Sequence, residues 1–562
     1  MKKVLSSLAI VAALVLTGCS KKMNQFSSDY FTTIPTPLEV RSEKVPGVVT
    51  ANIPPKFFVK DAEVTVTPVL VYGDQEATSM SYVFQGEKVR GNNQVVYYDN
   101  GGTASVPFSF DYVPEMAKSD LYLAFEVRQG NKTYVLPRVK VGEGCITTST
   151  LASAATVPPA ITADAFQRII NEKYSADIKF LINQTNIRAS ELKGAELASF
   201  NEVVKGVQDQ DNKEVEGISI SSYASPDGGV KLNTRIAEGR EQSTVKYLNG
   251  QIKKNGLDKH GELTAEFPAQ DWEGFKELVS QSNIQDKDLI LSVLAMYSDP
   301  EQREKEIRNI SAVFDQLAEE ILPQLRYSRL TASINTIGKS DEELMAAFDK
   351  NEPLTVEELL YTATLTNDTN KKAAIYARCV KEYPNDYRGY NNLGLCQYIA
   401  GDYDAAAANF AKAAQLAPTC NETKMNQGLI ALVNKDYNTA NEKFGSAAGV
   451  EGLPEALGLY YIEMGDYNAA VKAFGNTKSN NAALAQILTG DYNAARNTLA
   501  AVAATKADAT TYYLSAVLGA RTNNEQMVLS NLAQAVKLDS SLANKAATDM
   551  EFAKFNISSV VM

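Results

Sequence analysis

The stretch YNNLGLCQYIAGDYDAAAANFAKAAQLAP, residues 390–418, decides the fold of the C-terminal part of the chain. Its small and aromatic residues return about 34 positions later. The matching pairs are Gly394 and Gly428, Tyr403 and Tyr437, Ala406 and Ala440, Phe410 and Phe444, and Ala413 and Ala447. This period indicates a solenoid of paired helices, in which small residues let the helices approach and aromatic residues fill the gaps. We therefore predict an all-α solenoid over residues 350–556.

The repeated pattern resembles the tetratricopeptide repeat. The residues that carry the resemblance are Tyr390, Leu393, Gly394, Gly401, Tyr403, Ala406, Phe410 and Pro418. The resemblance implies a concave groove that binds a segment of a partner protein. Groove-facing positions on the first helix of each unit are expected near Arg388, Asn391, Tyr398 and Met425, although each could also be a solvated or packing side chain.

The first 19 residues have the parts of a secretory signal peptide: charged Lys2 and Lys3, an apolar stretch, and small residues before Cys19. The end of this segment, Leu16-Thr17-Gly18-Cys19, resembles the bacterial lipobox. That resemblance implies that Cys19 is acylated and becomes the mature N-terminus. The alternative is an ordinary signal peptide with a chance cysteine. Residues 20–37 are polar with spaced prolines, which predicts a flexible tether.

Residues 38–143 show short alternating runs separated by turn signals, and this pattern predicts a β-sandwich. A stretch rich in Thr, Ser, Ala and Pro follows, so residues 144–163 are interpreted as a linker. Cys145 stands at its start and is either a reactive thiol or an incidental residue.

Residues 164–345 alternate strands and helices, and apolar stripes after the third strand predict a helical insertion. The stretch ISISSYASPDG, residues 218–228, followed by Asn233 and Arg240, resembles the OmpA-type periplasmic domain. In that family an aspartate binds the ammonium group of peptidoglycan diaminopimelate and an arginine binds its carboxylate. The resemblance implies a peptidoglycan site at Ser225, Asp227, Asn233 and Arg240, with Ser225 at the aspartate position. Alternatively, Arg240 pairs with a nearby acid of the chain.

Composition and spacing argue against several classes of function. The formal net charge is −12, from 55 basic and 67 acidic residues, so no nucleic-acid partner is expected. The cysteines have no zinc-type spacing, and no metal or other cofactor is predicted. His260 is the single histidine, and it lies in a polar turn; catalytic motifs are missing from the sequence, so we predict that the protein is not an enzyme.

The expected architecture is therefore a β-sandwich, an OmpA-type α+β domain with a helical insertion, and a tetratricopeptide solenoid behind a lipidated cysteine. This combination resembles the envelope lipoproteins of Bacteroidota, which implies an outer-membrane location. Ser20-Lys21-Lys22 carries no acidic run, which favours the periplasmic face. Two functions remain open. The protein is a scaffold that holds envelope proteins through its repeats, or it is an anchor that binds peptidoglycan through residues 164–345.

Overall fold

The computed structural model describes residues 22–257, 260–284, 286–309 and 311–561, and the side chains of residues 311–313 are not considered. The predicted lipid site at Cys19 lies outside these residues. The chain forms two compact units, one made of Met1–Ala163 with Asn367–Met562 and the other of Asp164–Thr366. Within the described ranges, none of the helices has both the length and the apolar character needed to cross a bilayer.

The N-terminal part of the chain folds into sheets. The strands are Phe31–Ile34 (β1), Leu38–Glu39 (β2), Lys44–Ile53 (β3), Ala62–Tyr72 (β4), Gln75–Thr78 (β5), Tyr82–Gly86 (β6), Gln94–Val96 (β7), Gly102–Asp111 (β8), Asp120–Gln129 (β9), Lys132–Glu143 (β10) and Cys145–Ile146 (β11). One sheet has the order β1-β3-β8, and a second has the order β10-β9-β4-β6-β7 with β5 beside β4. Alternate residues of β8, from Ala104 to Phe110, are buried in the core shared with β4 and β9.

The segment predicted to be a flexible tether belongs to this core. Met23 and Phe26 are each only 4% exposed, and the ring of Phe26 stacks on Phe125 with centroids 4.3 Å apart. Strand β1 then pairs with β3. The tether prediction over residues 20–37 is therefore wrong for residues 23–37, because the polar composition hid two apolar anchors.

Cys145 is fully buried in the same core, with Ser119 as a neighbour at 3.8 Å from oxygen to sulfur. Burial raises the pKa of the Cys145 thiol to about 11. Since the thiolate is the reactive form, this environment favours an inert structural cysteine.

The unit Asp164–Thr366 has one four-stranded sheet. Its strands are Ile169–Lys179 (β12), Lys213–Ala224 (β13), Glu262–Gln270 (β14) and Tyr327–Ile337 (β15), in the order β12-β15-β13-β14. Strands β13 and β14 are parallel, and the other pairs are antiparallel. The helices are Ala195–Gln208 (α1), Val230–Asn255 (α2), Trp272–Gln281 (α3), Lys287–Met296 (α4), Pro300–Asn309 (α5), Ser311–Gln316 (α6), Asp341–Asp349 (α7) and Val356–Thr364 (α8). The unit thus continues past residue 345, through α7 and α8, before the other unit resumes at Asn367.

The C-terminal part is helical throughout its described length. The helices are Thr369–Glu382 (α9), Tyr387–Ile399 (α10), Tyr403–Leu416 (α11), Asn421–Val433 (α12), Tyr437–Gly445 (α13), Leu453–Glu463 (α14), Tyr467–Phe474 (α15), Asn480–Thr489 (α16), Tyr492–Lys506 (α17), Ala509–Arg521 (α18), Glu525–Leu538 (α19), Leu542–Thr548 (α20) and Ser558–Val561 (α21). Neighbouring helices pair in sequence, as the 34-residue period predicts. The prediction of a C-terminal helical solenoid is confirmed.

The start of the second helix is fixed by an aspartate in four of the pairs. Asp402, Asp436, Asp466 and Asp491 each accept a hydrogen bond from the backbone N–H three residues later, and each is followed by the tyrosine that begins the helix. The residue before three of these aspartates is a glycine with positive φ, and Lys435 takes that position before Asp436 with φ 59°. The recurring Asp-Tyr of the sequence is therefore a helix start.

Candidate functional site

The concave side of the repeats is lined by first helices of the pairs, α10, α12 and α16, and it already holds a piece of polypeptide. The occupant is the linker of this same chain, whose residues 153–162 run along these helices. The segment is buried on one side only. Ala154, Val157, Pro159 and Thr162 are buried, whereas Ile161 is 49% exposed.

Two asparagines bind the main chain of this segment through paired hydrogen bonds. Ala160 donates its N–H to Oδ1 of Asn426 at 2.6 Å, and Nδ2 of Asn426 donates back to the Ala160 carbonyl at 2.8 Å. Asn392 forms the same pair with Thr162, at 2.9 Å and 3.1 Å. A side-chain amide has both a donor and an acceptor, so one asparagine satisfies both main-chain groups of one residue.

A third asparagine, Asn481 on α16, repeats this arrangement at the other end of the segment. Its Oδ1 accepts from the Ser153 N–H, and its Nδ2 donates to the Ser153 carbonyl, both at 3.4 Å. Asn391 adds a bond from Nδ2 to the Ala160 carbonyl at 3.0 Å. We call Asn392, Asn426 and Asn481 the asparagine clamps.

The clamps occupy equivalent positions in the repeats. Each stands two residues before the small residue that packs against the second helix: the pairs are Asn392 with Gly394, Asn426 with Gly428, and Asn481 with Ala483. All three clamps are nearly fully buried, with exposed fractions between 0% and 3%. An asparagine that recurs at a buried position of three repeats was the sequence signal for this site, and the sequence analysis did not use it.

Apolar and aromatic groups hold the segment between the clamps. The buried phenol of Tyr398 donates to the Ala154 carbonyl at 2.6 Å, and burial raises the pKa of Tyr398 above its ordinary range. Val157 is 1% exposed and shares a core cluster with Met425. The groove therefore combines main-chain recognition with one apolar anchor.

The four residues predicted to face the groove divide into two groups. Asn391 and Tyr398 bond to the segment, and Met425 lies in the cluster that receives Val157. Arg388 forms an ion pair with Asp386, at 2.7 Å from Nη2 to Oδ2. No partner protein enters into these contacts, so the partner-binding role of the four remains a prediction.

A cavity of about 510 Å³ opens beside the first half of the segment. Its lining includes Ala152–Ala155 of the segment and Tyr403, Leu432 and Ile462 of the repeats, with Glu463 in the wall. Burial and the nearby Glu43 carboxylate raise the pKa of Glu463 to about 7, while Lys435 and a hydrogen bond with Tyr437 oppose this shift. The carboxyl is therefore partly protonated at neutral pH.

In the unit Asp164–Thr366, three of the residues predicted to bind peptidoglycan do lie together. Ser225 donates its hydroxyl to Asp227 at 2.5 Å, and Nδ2 of Asn233 donates to the Ser225 carbonyl at 3.0 Å. Arg326, which the sequence analysis did not single out, completes the group by donating to Ser225 Oγ at 3.0 Å and pairing with Asp227 at 3.4 Å. The Asp227 carboxylate is thus already paired with Arg326 of the same chain.

Arg240 lies apart from that carboxylate and serves the protein itself. Its side chain is 1% exposed, and its guanidinium donates to the carbonyls of Gln184, Tyr223 and Leu181 at 3.0, 2.6 and 3.1 Å. The guanidinium also sits 5.1 Å from the centre of the Phe180 ring. Main-chain carbonyls thus take up donors on all three nitrogens of the guanidinium, and the peptidoglycan role of Arg240 remains a prediction.

Comparison with known proteins identifies the repeats. A model of the tetratricopeptide repeat matches residues 387–420, which correspond to α10 and α11. No curated protein matches the chain. Among solved structures, a tetratricopeptide repeat protein from Parabacteroides merdae has 14% identity and a TM-score of 0.30, with 37% of this chain and 91% of that chain covered.

Two further structures align with a similar share of the chain. YrrB, described as a TPR protein with an unusual peptide-binding site, has 21% identity, a TM-score of 0.25, and coverage of 31% of this chain and 98% of its own. PilF of Pseudomonas aeruginosa has 16% identity, a TM-score of 0.28, and coverage of 36% and 95%. The family match covers one helix pair, and the C-terminal part of this chain is an all-helical repeat region that resembles a tetratricopeptide solenoid.

Proposed function

We propose that this protein is a non-enzymatic scaffold of the cell envelope, which binds a partner protein through its tetratricopeptide repeats and is held to the outer membrane by a lipid on Cys19. The observation that carries the proposal is the groove itself, whose clamps and apolar anchor hold an extended polypeptide. A surface that binds one segment of main chain in this way has the chemistry to bind another.

The membrane part of the proposal rests on Leu16-Thr17-Gly18-Cys19, and the periplasmic face on Ser20-Lys21-Lys22. Metabolic labelling with a fatty acid tests the anchor. The wild-type protein should incorporate label and sediment with membranes, and Cys19→Ser should do neither. Continued labelling of Cys19→Ser would remove the lipid from the proposal.

Partner binding is tested by cross-linking in intact cells, followed by purification of the tagged protein from detergent-solubilised envelopes. Partner cross-links should map to the repeats, Asn367–Met562, and recovery should not depend on whether the cell wall is digested first. Cross-links confined to Asp164–Thr366, or recovery that vanishes on wall digestion, would favour the peptidoglycan anchor instead. The buried position of Arg240 gives that alternative no support.

A further inference from the structure

The linker is bound in the groove mainly through groups that every residue carries. The asparagine clamps contact the N–H and C=O of Ser153, Ala160 and Thr162, and Tyr398 contacts the carbonyl of Ala154. These bonds would form equally well with any other extended chain in the same register. The clamps therefore recognise mainly the extended conformation. Two threonine hydroxyls add to this: Thr162 donates to Asn392 at 2.9 Å, and Thr156 accepts from Asn481 at 3.0 Å.

The side chains of the linker fill the groove poorly. Where the segment passes Tyr403, Leu432 and Ile462, it offers only alanines and a serine. A cavity of about 510 Å³ lies beside them, and Val40, Glu43 and Tyr112 of the β domain form part of its wall. Burying a methyl group gains much less free energy than burying a large apolar side chain. A segment with larger apolar residues at these positions would bind the groove more tightly than residues 152–155 do.

The linker holds its place because it is covalently attached. Both of its ends continue into folded parts of the chain, so its effective concentration at the groove is of the millimolar order that short tethers give. A weak ligand can occupy a site under these conditions, and a free competitor must overcome the advantage of attachment.

We propose that residues 153–162 are a replaceable occupant of the groove, and that a partner enters by displacing them with its own extended segment, bound through its main chain at the asparagine clamps. This inference rests on the proposed function and adds its regulation: the protein restrains its own groove until a better-fitting segment arrives. The partner segment is extended, supplies N–H and C=O groups at two alternate residues for Asn392 and Asn426, and carries bulkier apolar side chains where the linker has alanines.

The test uses the full-length protein in detergent and a fluorescent peptide with the sequence of residues 150–163, and it measures binding by anisotropy. Ala160→Pro removes the N–H that Asn426 accepts without altering the repeats. Loss of this bond should weaken the attached segment, so the variant should bind the peptide at least about 10-fold more tightly than wild type. Adding Asn426→Ala to Ala160→Pro should reverse the gain, because the peptide then loses the same clamp.

Ala163→Pro is the matched control, since it introduces the same residue at an exposed position just beyond the last clamp. It should bind the peptide as wild type does. Equal peptide affinity for wild type and Ala160→Pro would overturn the proposal, because the segment would then be a fixed part of the fold. Tight binding that survives Asn426→Ala would also overturn it, because the peptide would be bound elsewhere.

Hydrogen exchange of the wild-type protein gives a second measurement, which does not depend on whether a variant folds. Excess peptide should accelerate exchange at the Ala160 and Thr162 amides of the protein, and unchanged protection would contradict displacement. The two proposals fail separately. Wild type and Ala160→Pro could recover a cross-linked partner equally well while the peptide fails to displace the linker. That result would leave the scaffold function intact and contradict only the displacement.

Discussion

At the scale of single residues, Arg240 binds the main chain of its own protein. Asn233 and Arg240 both lie on α2. The motif gave no information about the loop after β12, in which the Leu181 and Gln184 carbonyls accept hydrogen bonds from the guanidinium. Burial among such groups lowers the pKa of Arg240 to about 10, with help from the nearby Arg326. The hydrogen bonds of the Arg240 side chain connect α2 to β13 and to the loop after β12.

Arg240→Ala should therefore lower the stability of the unit Asp164–Thr366, by about 3 kcal/mol, because three carbonyls lose their donor and a cavity remains where the buried side chain was. Trp272 is the single tryptophan of the chain and lies in this unit, so its fluorescence during urea unfolding follows this unit alone. Arg235→Ala, at an exposed position of the same helix, should have little effect. A loss of peptidoglycan co-sedimentation by Arg240→Ala without a loss of stability would support the ligand role.

The linker was the largest gap in the sequence interpretation, and the reason is also found at this scale. Its Thr, Ser, Ala and Pro residues predict an unstructured connection, and nothing in its side chains indicates a binding site. The recognising groups lie more than 200 residues away and contact its main chain. A pattern of side chains in the segment gives little information about an interaction that is made mainly through the main chain.

At the scale of elements, the repeat period identified the helix pairs because the same contact recurs in each. A Cβ added to Gly394, Gly428 or Gly458 would lie only 2.5 to 2.8 Å from a ring atom of Phe410, Phe444 or Phe474. The glycine and the phenylalanine that the sequence repeats are thus the two sides of one contact. This is why counting positions was enough to predict the pairs, although it gave no information about the occupant of the groove.

Gly428→Ala should destabilise the repeats by about 1–3 kcal/mol, since the added methyl group would overlap the Phe444 ring and force the two helices apart. Gly445→Ala is the matched control, because the same methyl group there would meet open space. The midpoint of thermal unfolding, followed by far-ultraviolet circular dichroism, should fall for Gly428→Ala only. Equal shifts in both variants would show that the contact with Phe444 is not the cause.

At the scale of the whole molecule, the β domain and the repeats form one unit whose stability should depend on pH through Glu463. The Glu463 carboxyl faces Glu43 of the β domain, and Lys435 and Tyr437 lie beside it. Because its folded pKa is about 7 and its ordinary value is 4.5, the unfolded state releases the proton first as pH rises. Stability from this group is complete below about pH 4.5 and is lost progressively up to about pH 7.

Glu463→Gln removes the charge and keeps a group that can accept from Tyr437. The variant should match wild type at pH 4 and be more stable at pH 8, by at most about 3 kcal/mol. Thermal unfolding at the two pH values measures the difference. Glu442→Gln, at a carboxyl whose side chain is 73% exposed, should show no such dependence. A Glu463→Gln advantage that is the same at both pH values would exclude titration as the cause.

The clamped linker also has a consequence for how the chain is made. Ser153 leaves the ribosome 328 residues before Asn481, and Ala160 precedes Asn426 by 266 residues. Until α12 and α16 are made, the main-chain groups of Ala160 and Ser153 therefore lack the clamps that bind them. Contacts between such distant residues form late, because the entropy cost of closing a long loop comes before the contacts contribute any favourable free energy. Helices α10, α12 and α16 thus complete the folding of a segment from the first third of the chain, and a chain truncated before them would carry that segment exposed to proteases.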